Sequence, residues 1–308
     1  MMRLHRPALL ADGERDGERD GGDEMSESMQ VAGGTPVTVF DDADLLGETL
    51  AREILDGVAA TLPGGRYLLG CPGGRSLRST YQALARLVPP DADLRNLVIV
   101  MMDEYVVGEV GTLRCIDPAR HCSCQGFAQR EIAGPINAAV TRGHGITPDR
   151  LWGPDPADPA AYDRQIAEAG GVELFLAASG AGDGHVAFVA PPADLGGGTS
   201  VVDLAEQTRR DNMGTFPEFG TLDDVPRHGV SVGLGTIAAL SRNVAMVLVG
   251  EAKQASVRRI LATTDFDPTW PATFIHRCPN PRILLDAAAG SAAAGSAAIG
   301  PAAVDESD

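Results

Sequence analysis

The sequence predicts a single α/β domain in which helices cover both faces of an open, mostly parallel sheet. Apolar runs of four to eight residues alternate with segments of helical spacing. The apolar runs carry few polar residues, as is typical of strands that are covered on both faces. No shift in composition divides the central segment, residues 37–286, so one domain is expected there.

The first half of this segment opens with a helix and continues with two strands. Residues 42–62, "DADLLGETLAREILDGVAATL", have helical spacing, and "RYLLG" at 66–70 is a short apolar run. A second helical pattern covers 76–88, and the wholly apolar "NLVIVMM" at 96–102 predicts a buried strand.

The second half repeats the alternation. Residues 158–170 follow a proline-rich turn with helical spacing, and "VELFLAAS" at 172–179 predicts a strand. Segment 230–240 predicts a strand that runs into a helix. Three further elements complete the pattern: a strand at 243–250, a helix at 252–262 and a strand at 282–286.

Both ends of the chain differ in composition from the domain. Residues 1–36 contain the charged repeat "DGERDGERD" without apolar periodicity, and a disordered acidic tail is expected. Residues 287–308 are rich in Ala, Gly and Ser, which predicts a low-complexity tail or at most a frayed helix.

Charge excludes two classes of partner. The formal net charge is −17, and most of it lies within the predicted domain, so binding to nucleic acid or to an anionic membrane is not expected. A small anionic substrate would need a local group of donors. Of the 25 basic residues 24 are Arg, and the only Lys is Lys253.

The cysteines indicate a reduced, cytoplasmic protein. The five Cys are irregularly spaced, and the chain has neither a signal peptide nor an apolar run near 18 residues. "HCSC" at 121–124 contains metal-ligand types, but no second Cys/His pair with finger-like spacing follows it. No metal and no cofactor are therefore predicted.

Polar, chemically versatile residues follow five predicted strands. In open parallel sheets, ligands bind beyond the carboxyl ends of the strands, so these loops predict one shared pocket. The five loops are "CPGGRS" (71–76), "DEY" (103–105), "GAGDGH" (180–185), "LGT" (234–236) and "EAK" (251–253).

Two of these loops suit a phosphate group. Gly73, Gly74, Arg75 and Ser76 stand at a helix start, where backbone N–H groups and the helix dipole attract anions. Lys253 lies in the first turn of another helix and would add an ammonium group. A plain glycine turn and a solvated lysine are the structural alternatives.

Two other loops suit proton transfer. Asp103 follows a wholly apolar strand, and poor solvation there should raise its pKa, as suits a proton carrier. Asp183 could orient His185, which then moves protons near neutral pH. A turn acid and a satisfied loop histidine are the alternatives. "GAGDGH" lacks the third glycine of a dinucleotide fingerprint, and the chain has no phosphate-binding GxxxxGK[ST] loop.

Five segments together resemble the glucosamine-6-phosphate deaminase/isomerase family. They are "MMDEY", "GAGDGHVAF", "TRRDN", "VPRHGVSVGLGT" and "LVGEAK", in family order within roughly residues 36–286. The resemblance implies a Rossmann-like fold and metal-free sugar-phosphate chemistry. It implies that Asp103 moves a proton between C2 and C1, that His185 opens the sugar ring with Asp183 orienting it, and that Lys253 and the 73–76 loop bind the phosphate.

The chain departs from the family pattern at three places. Ala190 stands where the family has a Glu that supports ring opening, and "GGTS" at 197–200 replaces a basic segment. Gly214 stands where the family has an Arg that binds phosphate, and Arg75, Arg209 and Arg210 are the candidates to substitute for it. Loss of the basic segment predicts that amino-sugar allostery is absent.

Other functions remain open on the sequence. The departures permit an isomerase that keeps the amine or uses a shifted substrate in specialised metabolism. Related 6-phosphogluconolactonases share the "DGH" turn but tend to carry Arg after "DE", where this chain has Tyr105. A non-catalytic sugar-phosphate sensor is the third alternative. Homo-oligomers are common in the family, and a homo-oligomer is an option here.

Overall fold

Two sheets organise the residues that the structure describes, a large one of eight strands and a small one of four. The computed structural model describes residues 26–30, 34–109 and 111–292. In chain order the strands are β1 (Ser26–Gln30), β2 (Pro36–Phe40), β3 (Tyr67–Cys71), β4 (Leu97–Met101), β5 (Asp103–Val107), β6 (Arg114–Cys115), β7 (Leu151–Trp152), β8 (Val172–Ala177), β9 (Ser200–Asp203), β10 (His228–Ser231), β11 (Ser241–Leu248) and β12 (Pro281–Asp286).

The large sheet has the order β1-β2-β12-β11-β8-β3-β4-β7. Every neighbouring pair from β2 to β7 is parallel, and β1 pairs antiparallel with β2 at one edge. The α-helices are α1 (Ala43–Ala60), α2 (Arg78–Leu87), α3 (Cys124–Phe127), α4 (Gly134–Ala139), α5 (Pro159–Glu168), α6 (Glu206–Thr215), α7 (Leu234–Leu240), α8 (Gln254–Leu261) and α9 (Ala287–Gly290).

Shorter helical turns complete the chain path. A π-helical turn at Ala128–Ala133 joins α3 to α4. Over the described ranges, four 3-10 turns lie at Pro148–Arg150, Leu222–Asp224, Glu251–Lys253 and Pro271–Arg277.

Alternation along each central strand separates two apolar cores. In β4, Leu97, Ile99 and Met101 pack with helices α1 and α2 on one face. Val98 and Val100 pack with α5, α7 and α8 on the other. Because both faces are covered, the strand is apolar throughout, which explains the run that the sequence displays. The predicted α/β fold with helices on both faces is confirmed.

The small sheet was not expected from the sequence. It is antiparallel, in the order β6-β5-β10-β9. Its own apolar cluster includes Tyr105, Phe188 and Phe219. Segment 103–105 is therefore strand rather than loop, and the strand predicted at the start of 230–240 belongs to this sheet and not to the parallel one. Only Met102 separates β4 from β5.

The predicted domain boundaries are too narrow at both ends. Ser26–Gln30 form β1, and Thr35 is buried with its hydroxyl 2.9 Å from His276 Nδ1, so the acidic tail does not extend to residue 36. Residues 1–25 and 31–33 lie outside the described part of the chain. Ala287–Gly290 form α9, which begins where Asp286 accepts a hydrogen bond from the backbone N–H of Ala289. The remainder of the predicted C-terminal tail, 293–308, also lies outside it.

Within the described ranges, no helix has both the length and the apolar character that a membrane crossing requires.

Candidate active site

A cavity of about 320 Å³ opens at the carboxyl edge of the large sheet. The loops that follow β4, β3, β8 and β11 line it, and these four strands are consecutive neighbours. The chain leaves β3 toward β4 on one side, whereas β8 connects to β11 on the other. The cavity therefore lies at the topological switch point, where ligands bind in open α/β sheets.

Four of the five predicted loops meet in this cavity. Residues 234–236 do not line it, because β10 belongs to the small sheet. Gly233 and Gly235 instead pack on the 196–198 backbone, and the N–H of Gly235 donates to the carbonyl of Gly197 at 3.0 Å.

Asp103 lies at the first position of β5, with only 7% of its surface exposed. Burial raises the pKa of its carboxyl group to about 7, although the hydrogen bond from Cys124 lowers it. The neighbouring charge of Glu104 adds to the rise. The thiol of Cys124 donates a hydrogen bond to Asp103 Oδ1 at 3.1 Å, and His185 also favours the ionised form. A carboxyl group of this kind can both accept and return a proton near neutral pH.

Glu104 has a structural role beside it. Its carboxylate accepts hydrogen bonds from the backbone N–H groups of Cys124 at 3.0 Å and Gln125 at 2.8 Å, and from the hydroxyl of Ser123 at 2.8 Å. These bonds hold the start of α3 against β5. Burial still raises the pKa of Glu104 above its ordinary value.

Asp183 and His185 form a hydrogen-bonded pair, as predicted. His185 Nδ1 lies 2.7 Å from Asp183 Oδ1, which also accepts the backbone N–H of His185 at 3.1 Å. Burial opposes ionisation of Asp183, but the hydrogen bond and charge of His185 outweigh it and leave its pKa below the ordinary value. Because Nδ1 is engaged, Nε2 is the ring nitrogen available to a ligand.

Glycines make room for this pair. A Cβ at Gly180 would lie 2.2 Å from His185 Nδ1 and 2.7 Å from Asp183 Oδ1, so only glycine fits. Gly184 has φ +70°, and a Cβ there would meet the ring of Trp270 at 2.6 Å. The glycine-rich turn thus folds tightly around the acid and the imidazole.

The predicted phosphate-binding groups lie together in the same cavity. Gly73, Gly74, Arg75 and Ser76 line it, as does Lys253. Burial lowers the pKa of Lys253, the carboxylate of Asp211 opposes this change, and the nearby charge of Arg75 adds to it. The ammonium group donates a hydrogen bond to the carbonyl of Ser179. This arrangement places two cationic side chains beside a glycine-rich helix start.

Arg209, also predicted to bind phosphate, does not line the cavity. Its buried guanidinium donates to the carbonyl groups of Leu222 and Val225, the latter at 3.1 Å. It therefore ties α6 to the 222–225 turn. Arg210 is exposed and pairs with Glu206.

One face of α6 was missed by sequence reasoning. Thr208, Asp211, Asn212 and Thr215 line the cavity, and their spacing of i, i+3, i+4 and i+7 defines one helix face. Asp211 is held by Gln207, whose Nε2 donates to its carboxylate at 2.9 Å. The spacing of these four polar residues matches the helical period and was the available signal. Because α6 is polar all round, no apolar pattern shows which of its faces points to the cavity.

One group of side chains among the described residues has metal-ligand spacing. Potential ligand atoms of Asp183, His185 and Asp211 lie within 4.8 Å of one another. Within this group, His185 Nδ1 is hydrogen-bonded to Asp183 Oδ1 at 2.7 Å. Cys124 of the "HCSC" segment lines the cavity, and its thiol is committed to Asp103.

The fold and the cavity define a class: an α/β protein whose switch-point site combines a buried acid of raised pKa, an acid–imidazole pair and two cationic side chains. The family model described as glucosamine-6-phosphate isomerases/6-phosphogluconolactonase matches residues 41–283. The chain belongs to this family of enzymes.

Similar sequences agree with this assignment. The chain is 36% identical to a glucosamine-6-phosphate deaminase of Mycolicibacterium smegmatis over 254 residues, which cover 82% of this chain and 90% of that protein. It is 32% identical to the enzyme of the same name from Beutenbergia cavernae over 256 residues, or 81% and 86% of the two chains.

Solved structures agree on the fold. A monomeric glucosamine-6-phosphate deaminase superposes with a TM-score of 0.70 at 23% identity, covering 83% of this chain and 99% of that one. A 6-phosphogluconolactonase from Trypanosoma brucei superposes with a TM-score of 0.57 at 20% identity, covering 84% and 99%.

Proposed function

We propose that this protein is a metal-free aldose–ketose isomerase/deaminase that acts on an amino-sugar phosphate such as glucosamine 6-phosphate. The observation that carries the proposal is that Asp103 and His185 line the same cavity as Arg75 and Lys253. A base, a ring-opening group and a phosphate site thus share one space of substrate size.

The first step is opening of the sugar ring. His185 Nε2 would take the proton of the C1 hydroxyl and deliver it to the ring oxygen as the C1–O bond to that oxygen breaks, so the open-chain aldehyde forms with no net change in protons. Asp183 holds Nδ1 and so fixes both the orientation of the ring and the nitrogen that serves the substrate.

The second step is the transfer of a proton from C2 to C1. Asp103, with a pKa raised to about 7, is suited to remove the C2 proton and return it to C1. A second proton passes from the amine to the C1 oxygen, so the product is a 2-imino sugar with a C1 hydroxyl, which water hydrolyses to a ketose phosphate and ammonia. Lys253, Arg75 and the 73–76 backbone would hold the phosphate and keep C1 and C2 beside Asp103.

The test is incubation of the purified protein with glucosamine 6-phosphate while ammonia and ketose phosphate are followed together. Equal appearance of both is expected, and Asp103→Asn should abolish both. An isomerised sugar without ammonia would show that the protein is an isomerase that retains the nitrogen. Ala190 is the departure from the family pattern that makes this a specific alternative. Absence of any product would contradict it.

We further propose that a single subunit suffices and that the protein works in the reduced cytoplasm. A protein of similar structure is described as monomeric. All five cysteines are free thiols, four of them buried. Equal specific activity across a dilution series would support the first point, and activity that falls as subunits dissociate would contradict it.

A further inference from the structure

Cys124 contributes a thiol to the immediate surroundings of the proposed base. Its Sγ lies 3.1 Å from Asp103 Oδ1, both residues are buried, and both line the cavity. Within the described ranges, this thiol is the one side-chain group that donates a hydrogen bond to Asp103. The other oxygen, Oδ2, accepts none from that part of the chain.

The position of this thiol is fixed by the backbone around it. Cys124 is the first residue of α3, and its N–H donates to the carboxylate of Glu104 at 3.0 Å. Ser123 caps the helix by accepting the N–H of Gly126 at 3.0 Å. Since Glu104 follows Asp103 directly, the same strand holds the helix start and receives the thiol.

We propose that Cys124 is a positioning residue for Asp103: its thiol holds Oδ1, so that proton exchange with the substrate takes place at Oδ2. This inference rests on the proposed function, because it gives the base one orientation toward C1 and C2. A carboxyl group held at one oxygen loses less rotational freedom when substrate binds.

The groups around Asp103 determine the direction in which loss of the thiol would shift its pKa. Its pKa is raised by burial, lowered by the Cys124 thiol, raised by Glu104 and lowered by His185. Three phenols lie near enough for the charge of Asp103 to raise their pKa, those of Tyr81, Tyr105 and Tyr162. Burial raises the pKa of each of these phenols, so they stay neutral. The thiol of Cys124 supplies the hydrogen bond that stabilises the ionised carboxylate of Asp103.

The experiment compares Cys124→Ala with Cys124→Ser. Alanine removes the donor, so the acid-side limb of the pH profile of kcat/KM should move up by about one pH unit, as loss of a charge-assisted hydrogen bond implies. Serine restores an O–H donor and should return the limb to the wild-type position or below. Cys122→Ala, a buried cysteine two residues away without a bond to Asp103, is the matched control and should leave the limb unchanged.

A second measurement is independent of turnover. The infrared band of the protonated Asp103 carboxyl group, assigned by its absence in Asp103→Asn, should titrate at higher pH in Cys124→Ala than in the wild type. If the wild type turns over no sugar phosphate, the proposed function fails while this titration still tests Cys124. An unmoved titration in Cys124→Ala, or equal shifts in the alanine and serine variants, would overturn the inference.

Discussion

Arg75 Nη2 lies 3.7 Å from the position that a Cβ at Gly214 would occupy. The family pattern has an arginine at the position of Gly214, whereas this chain carries one on the loop after β3. Glycine leaves the space that a side chain from α6 would fill, and the guanidinium of Arg75 reaches its edge from the opposite wall. Of the three arginines considered from the sequence, Arg75 is therefore the one placed to substitute.

An arginine exchange tests this substitution. Arg75→Gly should raise KM for the sugar phosphate about 10- to 100-fold with a small change in kcat, because a charged hydrogen bond to phosphate is lost. The double variant Arg75→Gly with Gly214→Arg should recover most of the affinity. Steady-state kinetics of the three proteins check this, with Arg210→Gly as the control. Failure of the double variant to improve on Arg75→Gly would reject the exchange.

Replacement of Asp103 should separate activity from stability. Asp103→Asn should lower kcat by at least about 100-fold, since a positioned general base contributes about 10²–10⁴-fold. The same variant should be more stable than wild type at pH 8, as thermal unfolding would detect.

The stability effect depends on pH in a defined sense. The pKa of Asp103 rises from 3.8 in the unfolded chain to about 7 in the fold. The favourable contribution of the protonated form is therefore complete below pH 3.8 and is lost as pH rises through 7. The full difference is roughly 4 kcal/mol at about 1.4 kcal/mol per pH unit. Asparagine does not titrate, so its advantage should vanish near pH 4; an equal advantage at pH 4 and pH 8 would contradict this account.

A methyl group at Gly180 should displace the acid–imidazole pair. Gly180→Ala places a Cβ 2.2 Å from His185 Nδ1, and a misplaced catalytic group of this kind costs on the order of 10²-fold in kcat. Gly182→Ala is the matched control, because its nearest neighbour is the flexible side chain of Gln207 at 3.1 Å. Similar kcat values for the two variants would show that the pair tolerates displacement.

Removal of the carboxylate at Asp211 should strengthen phosphate binding. Asp211 lines the cavity, and its charge acts on Lys253. A bound phosphate dianion is repelled by the same carboxylate, so Asp211→Asn should lower KM a few-fold, and more at low ionic strength. Glu206→Gln removes one negative charge from the outer face of the same helix and should have little effect. A higher KM in Asp211→Asn would instead assign Asp211 to substrate binding.

The sequence was informative where the chain leaves a buried strand. Asp103, His185 and Lys253 follow β4, β8 and β11, and parallel strands bring their carboxyl ends to one edge. The location of the cavity could therefore be predicted before any contact was known.

The other site residues could not be predicted, because a polar segment has no apolar pattern to show which of its side chains face the cavity. Arg209 and Asp211 are two residues apart on α6, yet one binds backbone carbonyls and the other faces the cavity. The small sheet escaped prediction because β9 and β10 have four residues each, too few for a clear period. Cys124 lies 21 residues from Asp103, and the bonds of Glu104 hold the start of α3 beside it.

The junction between β4 and β5 has a mechanical consequence. Met102 alone separates the two strands, and its carbonyl accepts the N–H of Val232 at 2.8 Å, so the two sheets are joined at the residue before Asp103. Asp103, the proposed base, therefore lies at the junction of the two sheets rather than on a free loop. Distortion of either sheet is transmitted to it, and a substitution deep in the small sheet can alter turnover without touching the cavity wall.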